Sequence, residues 1–257
     1  MPRVRGRNRQ RDREAGDARS FWDGYELLWA PDQAAAGQRG PLDRALIVQV
    51  AVRVADAEGL AAVTMRRIAH ELGTGAMSLY RHVPDKDALV SLMIDTALGE
   101  DELPDAPSGD WRADLRSLAS GMWDFTQRHP WYPEAVMERP PITPHSMAAF
   151  EFAISILDGT PLPVADQAAI IITVSNAVLA AALNAAAEAR LRARLQATDE
   201  EIDHSAGAFF GKILASGRYP RFRDAMTSAD RLGPKEEMQM SVELILDGAA
   251  ARIAAAI

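Results

Sequence analysis

The chain has 257 residues, a formal net charge of -8, 48% apolar and 25% charged residues, and no cysteine. This is the mixture of a folded globular chain, long enough for one large or two small domains. The lack of cysteine excludes disulfides, thiolate catalysis and cysteine-held zinc, and it fits a reducing cytoplasm.

Residues 1–40 read as an N-terminal extension. Its first 19 residues hold seven arginines against three acids. No apolar segment follows them, so they do not read as a secretory signal. Their composition is that of a disordered tail, which is either a solvated segment or an arm suited to a minor groove. Phe21, Trp22, Tyr25 and Trp29 form an aromatic patch expected to pack on the chain's own domain. PDQAAAGQRGP then reads as a linker.

The first helix is predicted from about Leu42 to Glu58, with Leu46, Ile47, Val50, Val54 and Ala57 at helical spacing and Gly59 as its stop. Thr64 caps a second helix that turns Ile68, Ala69 and Leu72 inward. Gly73 stands where the chain must turn sharply, and glycine accepts the positive φ that such a turn uses. A third helix spans Thr74–Gly75 to His82–Val83, with Leu79 pointing to the core. Pro84 ends it, Asp85 caps a fourth helix, and Lys86 lies in that helix's first turn.

A capped helix, a glycine turn and a short helix with a polar, aromatic and basic face make a helix-turn-helix. The alternative is a three-helix packing unit with a solvated face. On the first reading, Thr64, Arg66 and Arg67 lie near phosphate. Thr74, Ala76, Met77, Ser78 and Arg81 face the major groove, and Tyr80 and Lys86 hold phosphates. Charge distribution agrees with this. Residues 1–100 hold 14 basic and 14 acidic side chains, so the acidic excess lies wholly in the rest of the chain. Phosphates attract cations, and the N-terminal part is the one not dominated by acids.

DELPDAPSGD, acidic and rich in Pro and Gly, marks a domain boundary. Trp111, Leu115, Leu118, Met122 and Phe125 then mark one helix face. HPWYPEAVMERPPITPH reads as a connector that bends repeatedly. Further helices are expected at about 145–158, 163–195, 199–216 and 234–256, with no strands. Residues 167–187 carry no charge over the length of a membrane span. Their alanines and the polar Gln167, Thr173, Ser175, Asn176 and Asn184 point instead to a helix buried in protein on most sides, and no membrane partner is expected.

The pattern Thr64-x-Arg66-x-Ile68-Ala69, Gly73, Leu79-Tyr80-Arg81-His82-Val83 and Lys86 resembles the DNA-binding domain of tetracycline-repressor (TetR) family regulators. In that family the helix ending in Leu-Tyr-x-His is the recognition helix. RHPWYPEAVMERPPITP and the closing VELILDGAAARI resemble the C-terminal domain of the branch nearest the tetracycline repressor itself. The resemblance covers the chain from about residue 20 onward. It departs at Gly75, where many relatives carry a Ser or Thr helix cap. Ala76 and Met77 offer bases no hydrogen bond, which leaves apolar contact with thymine methyls.

The resemblance implies an all-α protein with a helix-turn-helix domain at 41–100 and a larger effector-binding and dimerisation domain at 108–257. It implies a cytoplasmic repressor, a homodimer bound to double-stranded operator DNA, with the 163–195 and 234–256 helices suited to a four-helix interface. It further implies release from the operator by a small effector. Met122, Trp123, Trp131, Phe150, Ile154, Ile172, Asn176 and Phe209 are the candidate lining, mainly apolar, so an apolar effector is expected. Taken one by one, the same side chains read first as plain core. A DNA-binding dimer without an effector response is the alternative.

An enzyme is not expected, because the sequence has no nucleophile elbow and no metal-ligand spacing. No predicted strand precedes the GTGAMS glycines to make them a phosphate loop. His129, His145 and His204 are too scattered for a metal site, and neither cofactor nor metal is expected.

Overall fold

The computed structural model describes residues 25, 26, 28, 29, 42–195, 198–228 and 232–256. The arginine-rich tail, Phe21 and Trp22 lie outside the described residues. The fold is all-α, with no strand among the described residues. In chain order the helices are α1 (Arg44–Glu58), α2 (Met65–Glu71), α3 (Ala76–Leu79), α4 (Lys86–Leu98), α5 (Trp111–Arg128) and α6 (Tyr132–Glu138). They continue with α7 (Pro144–Ser155), α8 (Val164–Leu195), α9 (Asp199–Ala215), α10 (Pro220–Ser228) and α11 (Pro234–Ala255). A short 3-10 turn, Leu60–Ala62, joins α1 to α2.

The chain folds as two compact units. The first comprises residues 1–114 and 128–159, the second 115–127 and 160–257. Helix α5 is divided between them, with its middle turns in the second unit and its two ends in the first.

In the first unit, α1 packs along α4, and α2 packs on α1 and α3. The starts of these helices are closed by side chains. Asp43 accepts from Leu46 N–H at 2.8 Å, Thr64 from Arg67 N–H at 3.1 Å and Asp85 from Ala88 N–H at 2.7 Å. Each satisfies an amide that the helix itself leaves unpaired. Gly99 ends α4, and a side chain there would meet the exposed His145 ring at 2.9 Å, so that ring would have to shift.

The connector after α5 is better ordered than its prolines suggest. It forms α6, because Pro133 falls in the first turn, where a missing N–H loses no helical bond. Helix α10, which periodicity did not predict, likewise begins on a proline, Pro220. Thr143 opens α7 with a capping box closed by Ser146.

The connector is tied to α1 and α4 by polar contacts. The His129 ring is buried, with Nδ1 2.8 Å from Asp56 of α1 and Nε2 3.2 Å from Glu100 beyond α4. Trp131, 1% exposed, donates its indole N–H to the same Asp56 oxygen at 2.7 Å. Arg139, buried, pairs with Asp87 of α4 at 2.8 Å and lies over the Tyr25 ring. Tyr25 donates its hydroxyl to Pro140 C=O at 2.6 Å, and Trp29 its indole N–H to Ile142 C=O at 3.1 Å. These two aromatics therefore pack on their own unit, as expected.

In the second unit, α8 and α11 make the most extensive helix pair. Ile170, Ile171, Val174, Val178 and Ala182 form the buried stripe of α8, and Met238, Val242, Leu246 and Ala249 that of α11. Arg252 of α11 pairs with Asp166 of α8 at 3.0 Å. The expectation that α8 is covered on most sides is not met within one chain. Only 28% of its most apolar stretch is buried, and Ile172, Thr173, Asn176, Ala180 and Asn184 are exposed. The reason is geometric: a single neighbouring helix covers one stripe of a cylinder. Among the described residues α8 is the one helix whose length and composition would suffice to cross a membrane.

Candidate nucleic-acid interface

The site begins with the turn between α2 and α3. Gly73 has φ +62°, a left-handed conformation that side chains disfavour. Its N–H bonds His70 C=O at 3.1 Å, and Thr74 N–H bonds Ala69 C=O at 2.9 Å. These bonds end α2 and aim α3 away from it. Ile68 and Ala69 are buried beneath the turn, and Leu79 and Val83 have no exposure at all.

Burying Leu79 decides which face of α3 is open. Met77 is 79% exposed, the highest value among the exposed large apolar side chains of the described residues, and Tyr80 is 45% exposed. Gly75 and Arg81 are also exposed, and Thr74, Ala76, Ser78 and His82 are half-buried. Gly75 caps α3 with no side-chain bond, and its C=O takes Ser78 N–H at 2.9 Å. His82 and Val83 N–H both bond Leu79 C=O, closing the last turn. Beyond Pro84 the chain enters α4 with Lys86 exposed in its first turn.

On α2, Thr64 and Arg66 are exposed. The Thr64 oxygen accepts the Arg67 amide, which leaves its hydroxyl hydrogen to donate outward. Arg67 is held differently from Arg66. Its guanidinium bonds Glu58 at 2.7 Å and also Glu71. The Glu71 and Glu58 bonds raise the Arg67 pKa, and the Arg67 bond holds the Glu71 carboxyl below the usual range. The Arg67 charge is thus already offset by two carboxylates. The residues singled out for DNA contact, with Gly75 and His82 between them, lie on α2, α3, their flanks and the first turn of α4, within the first unit.

The residues singled out for an effector divide between the two units. Trp131, Phe150 and Ile154 belong to the first, and Met122, Trp123, Ile172, Asn176 and Phe209 to the second. Trp123 and Trp131 are buried, and the Trp131 indole is committed to Asp56. Met122, Phe150 and Ile154 are half-buried. Ile172, Asn176 and Phe209 are exposed, Phe209 at 63%. Sequence reading did not single out the groove of about 280 Å³ between α8 and α11. Ala177, Ala180, Ala181, Asn184 and Ala185 line one wall, and Pro234, Glu237, Met238 and Ser241 line the other. Rows of alanine are a weak signal, since they read equally as helix propensity.

Residues 47–93 match the family described as bacterial regulatory proteins, tetR family, and residues 103–253 match the tetracyclin repressor-like C-terminal domain. The chain is 37% identical over 230 residues to the HTH-type transcriptional repressor DrrR1 of Streptomyces coeruleorubidus, covering 87% of this chain and 83% of that protein. It is 30% identical over 152 residues to an HTH-type transcriptional regulator of Saccharopolyspora erythraea, covering 59% and 64% of the two chains. The structure of Streptomyces coelicolor ActR in complex with actinorhodin superposes with a TM-score of 0.70 at 27% identity, covering 83% of this chain and 99% of that one. The helix-turn-helix geometry and the two family matches, which together span most of the sequence, agree: the chain belongs to the tetR family and is an all-α, DNA-binding transcriptional regulator.

Proposed function

We propose that the protein is a homodimeric, cytoplasmic repressor that reads a two-fold operator through α3 and leaves it when a small apolar effector binds. The observation that carries this reading is the open face of α3, with Met77, Tyr80 and Arg81 exposed around a buried Leu79. A short helix pinned by one leucine, with its remaining side chains open, suits a major groove. In this reading residues 41–100 form the DNA-binding domain and 108–257 the effector and dimer domain.

Thr74, Ala76, Met77, Ser78 and Arg81 face base edges, with Gly75 bringing the backbone close. Thr64, Arg66, Tyr80 and Lys86 hold phosphates, and His82 closes the recognition helix. Arg67 has the weaker claim on phosphate because Glu58 and Glu71 hold it.

The dimer reading rests on the open sides of α8 and α11. Ile172, Met240 and Leu244 are 49%, 55% and 69% exposed. A second copy related by a two-fold axis would bring four such helices together. The effector reading draws on ActR, solved with actinorhodin. An effector that prefers a state with a different separation of the recognition helices weakens DNA binding by that preference. Met122, Trp123, Trp131, Phe150, Ile154, Ile172, Asn176 and Phe209 remain the residues proposed to respond to it.

Selection of bound sequences from random DNA tests the reading. The expected result is an inverted repeat with half-sites about one helical turn, ~34 Å, apart. Enrichment of no sequence, or of an asymmetric one, overturns it. A thermal-shift screen of small apolar molecules tests the effector, because a ligand of the folded state raises the melting temperature.

A further inference from the structure

We infer that His129 is a positioning residue for operator recognition. Clamped between Asp56 and Glu100, it sets the placement of α1 and α4, and through them of α3. The inference rests on the DNA-reading role proposed above.

Three segments meet at this ring. Asp56 lies in the last turn of α1, Glu100 just beyond α4, and His129 just beyond α5. A carboxylate only accepts hydrogen bonds. Both ring nitrogens face carboxylate oxygens, so a ring N–H at either one has an acceptor waiting. Trp131 adds its N–H to the same Asp56 oxygen and sets its ring edge against the imidazole, 6.0 Å between centroids. Arg128, the last residue of α5, pairs with Asp101 and ties the same two segments a second time.

This arrangement contributes little by burial alone. Desolvation of the buried ring offsets most of what its polar contacts gain, while displacing one partner is costly. Such a group specifies a geometry more than it raises stability. What it specifies here is the seat of α1 and α4; α2 packs on α1, and the recognition helix packs on α2. It does so at the end of α5, the helix divided between the two units.

The experiment uses the full chain and two operators, the selected sequence and the same sequence with one base pair added between its half-sites. The wild-type ratio of affinities measures how firmly the recognition helices are placed. His129→Gln and Glu100→Gln are expected to narrow that ratio about 5-fold or more, the lower end of ordinary coupling between sites. Loosened helices lose affinity for the matched operator and tolerate the lengthened one. Glu100, whose side chain is 47% exposed, keeps the test open if the His129 variant fails to fold. Arg116→Gln, which removes the exposed pair with Glu243 in the second unit, should leave the ratio unchanged.

A purely structural role lowers both affinities by one factor, the loss of folded protein. An unchanged ratio in variants that melt cooperatively therefore overturns the inference. If the wild-type chain selects no two-fold sequence, the DNA-reading role itself falls, and this inference with it.

Discussion

In the first unit, side chains cap the starts of α1, α2, α4 and α7, and His129, Trp131 and Arg139 close the connector onto those helices through buried polar contacts. In the second unit, α8 and α11 each bury one stripe and leave the rest open, and no described residue of α9 is buried. Phe209, Tyr219 and Phe222 are 63%, 52% and 41% exposed there. The first unit closes its helix starts and its connector with its own side chains. The other presents apolar surface beyond what a single chain covers, as an interaction surface does. A reader of DNA needs a fixed geometry, and an open apolar surface is one that another molecule can complete.

The largest expected effect separates the two units by their cores. Leu79→Ala should cost about 2–5 kcal/mol, because it empties a fully buried site at the centre of the first unit. Urea unfolding would read that loss. Leu244→Asp should leave the fold intact, since Leu244 is 69% exposed, yet weaken self-association by about 100-fold because a two-fold interface counts the change twice. Sedimentation at micromolar concentration would show a monomer with unchanged helix content. If Leu244→Asp unfolds the chain and Leu79→Ala does not, the comparison between the units is wrong.

Smaller effects sharpen it. Thr64→Ala removes the cap of α2 and should cost about 1 kcal/mol, read as a lower melting temperature. Lys86→Ala should weaken binding to all sequences alike and reduce the salt slope by about 0.9, the signature of one lost phosphate contact. A change confined to one operator position would make Lys86 a base reader instead.

The smallest effect concerns Glu71. Its carboxyl titrates below the ordinary range because Arg67 bonds the charged form. A depressed carboxyl contributes stability above its unfolded pKa and loses it as pH falls through the folded value. Glu71→Gln should therefore flatten the acid side of the melting-temperature profile slightly. The pair is exposed, so solvent screening keeps this below the cap effect.

Much of the reading head was legible in the chain itself. Gly59, Gly73 and Asp85 stand where helices end, turn and begin, because each residue type answers a local backbone requirement. The proline-rich connector was misread for the converse reason. Proline at a first turn is compatible with a helix, and periodicity over a few residues cannot tell start from break. His129 carried no local signal, since its partners lie 73 and 29 residues away along the chain.

By itself, then, the sequence determined α1 to α4, the turn that opens α3, and the family. These follow from spacing, caps and turns, which act over a few residues. Only tertiary structure decided that Arg67 is taken by Glu58 and Glu71, that Trp131 serves Asp56, and that α8 leaves Ile172, Asn176, Ala180 and Asn184 open. Such outcomes depend on which distant groups meet, and a helical period states which residues share a face without stating what covers it.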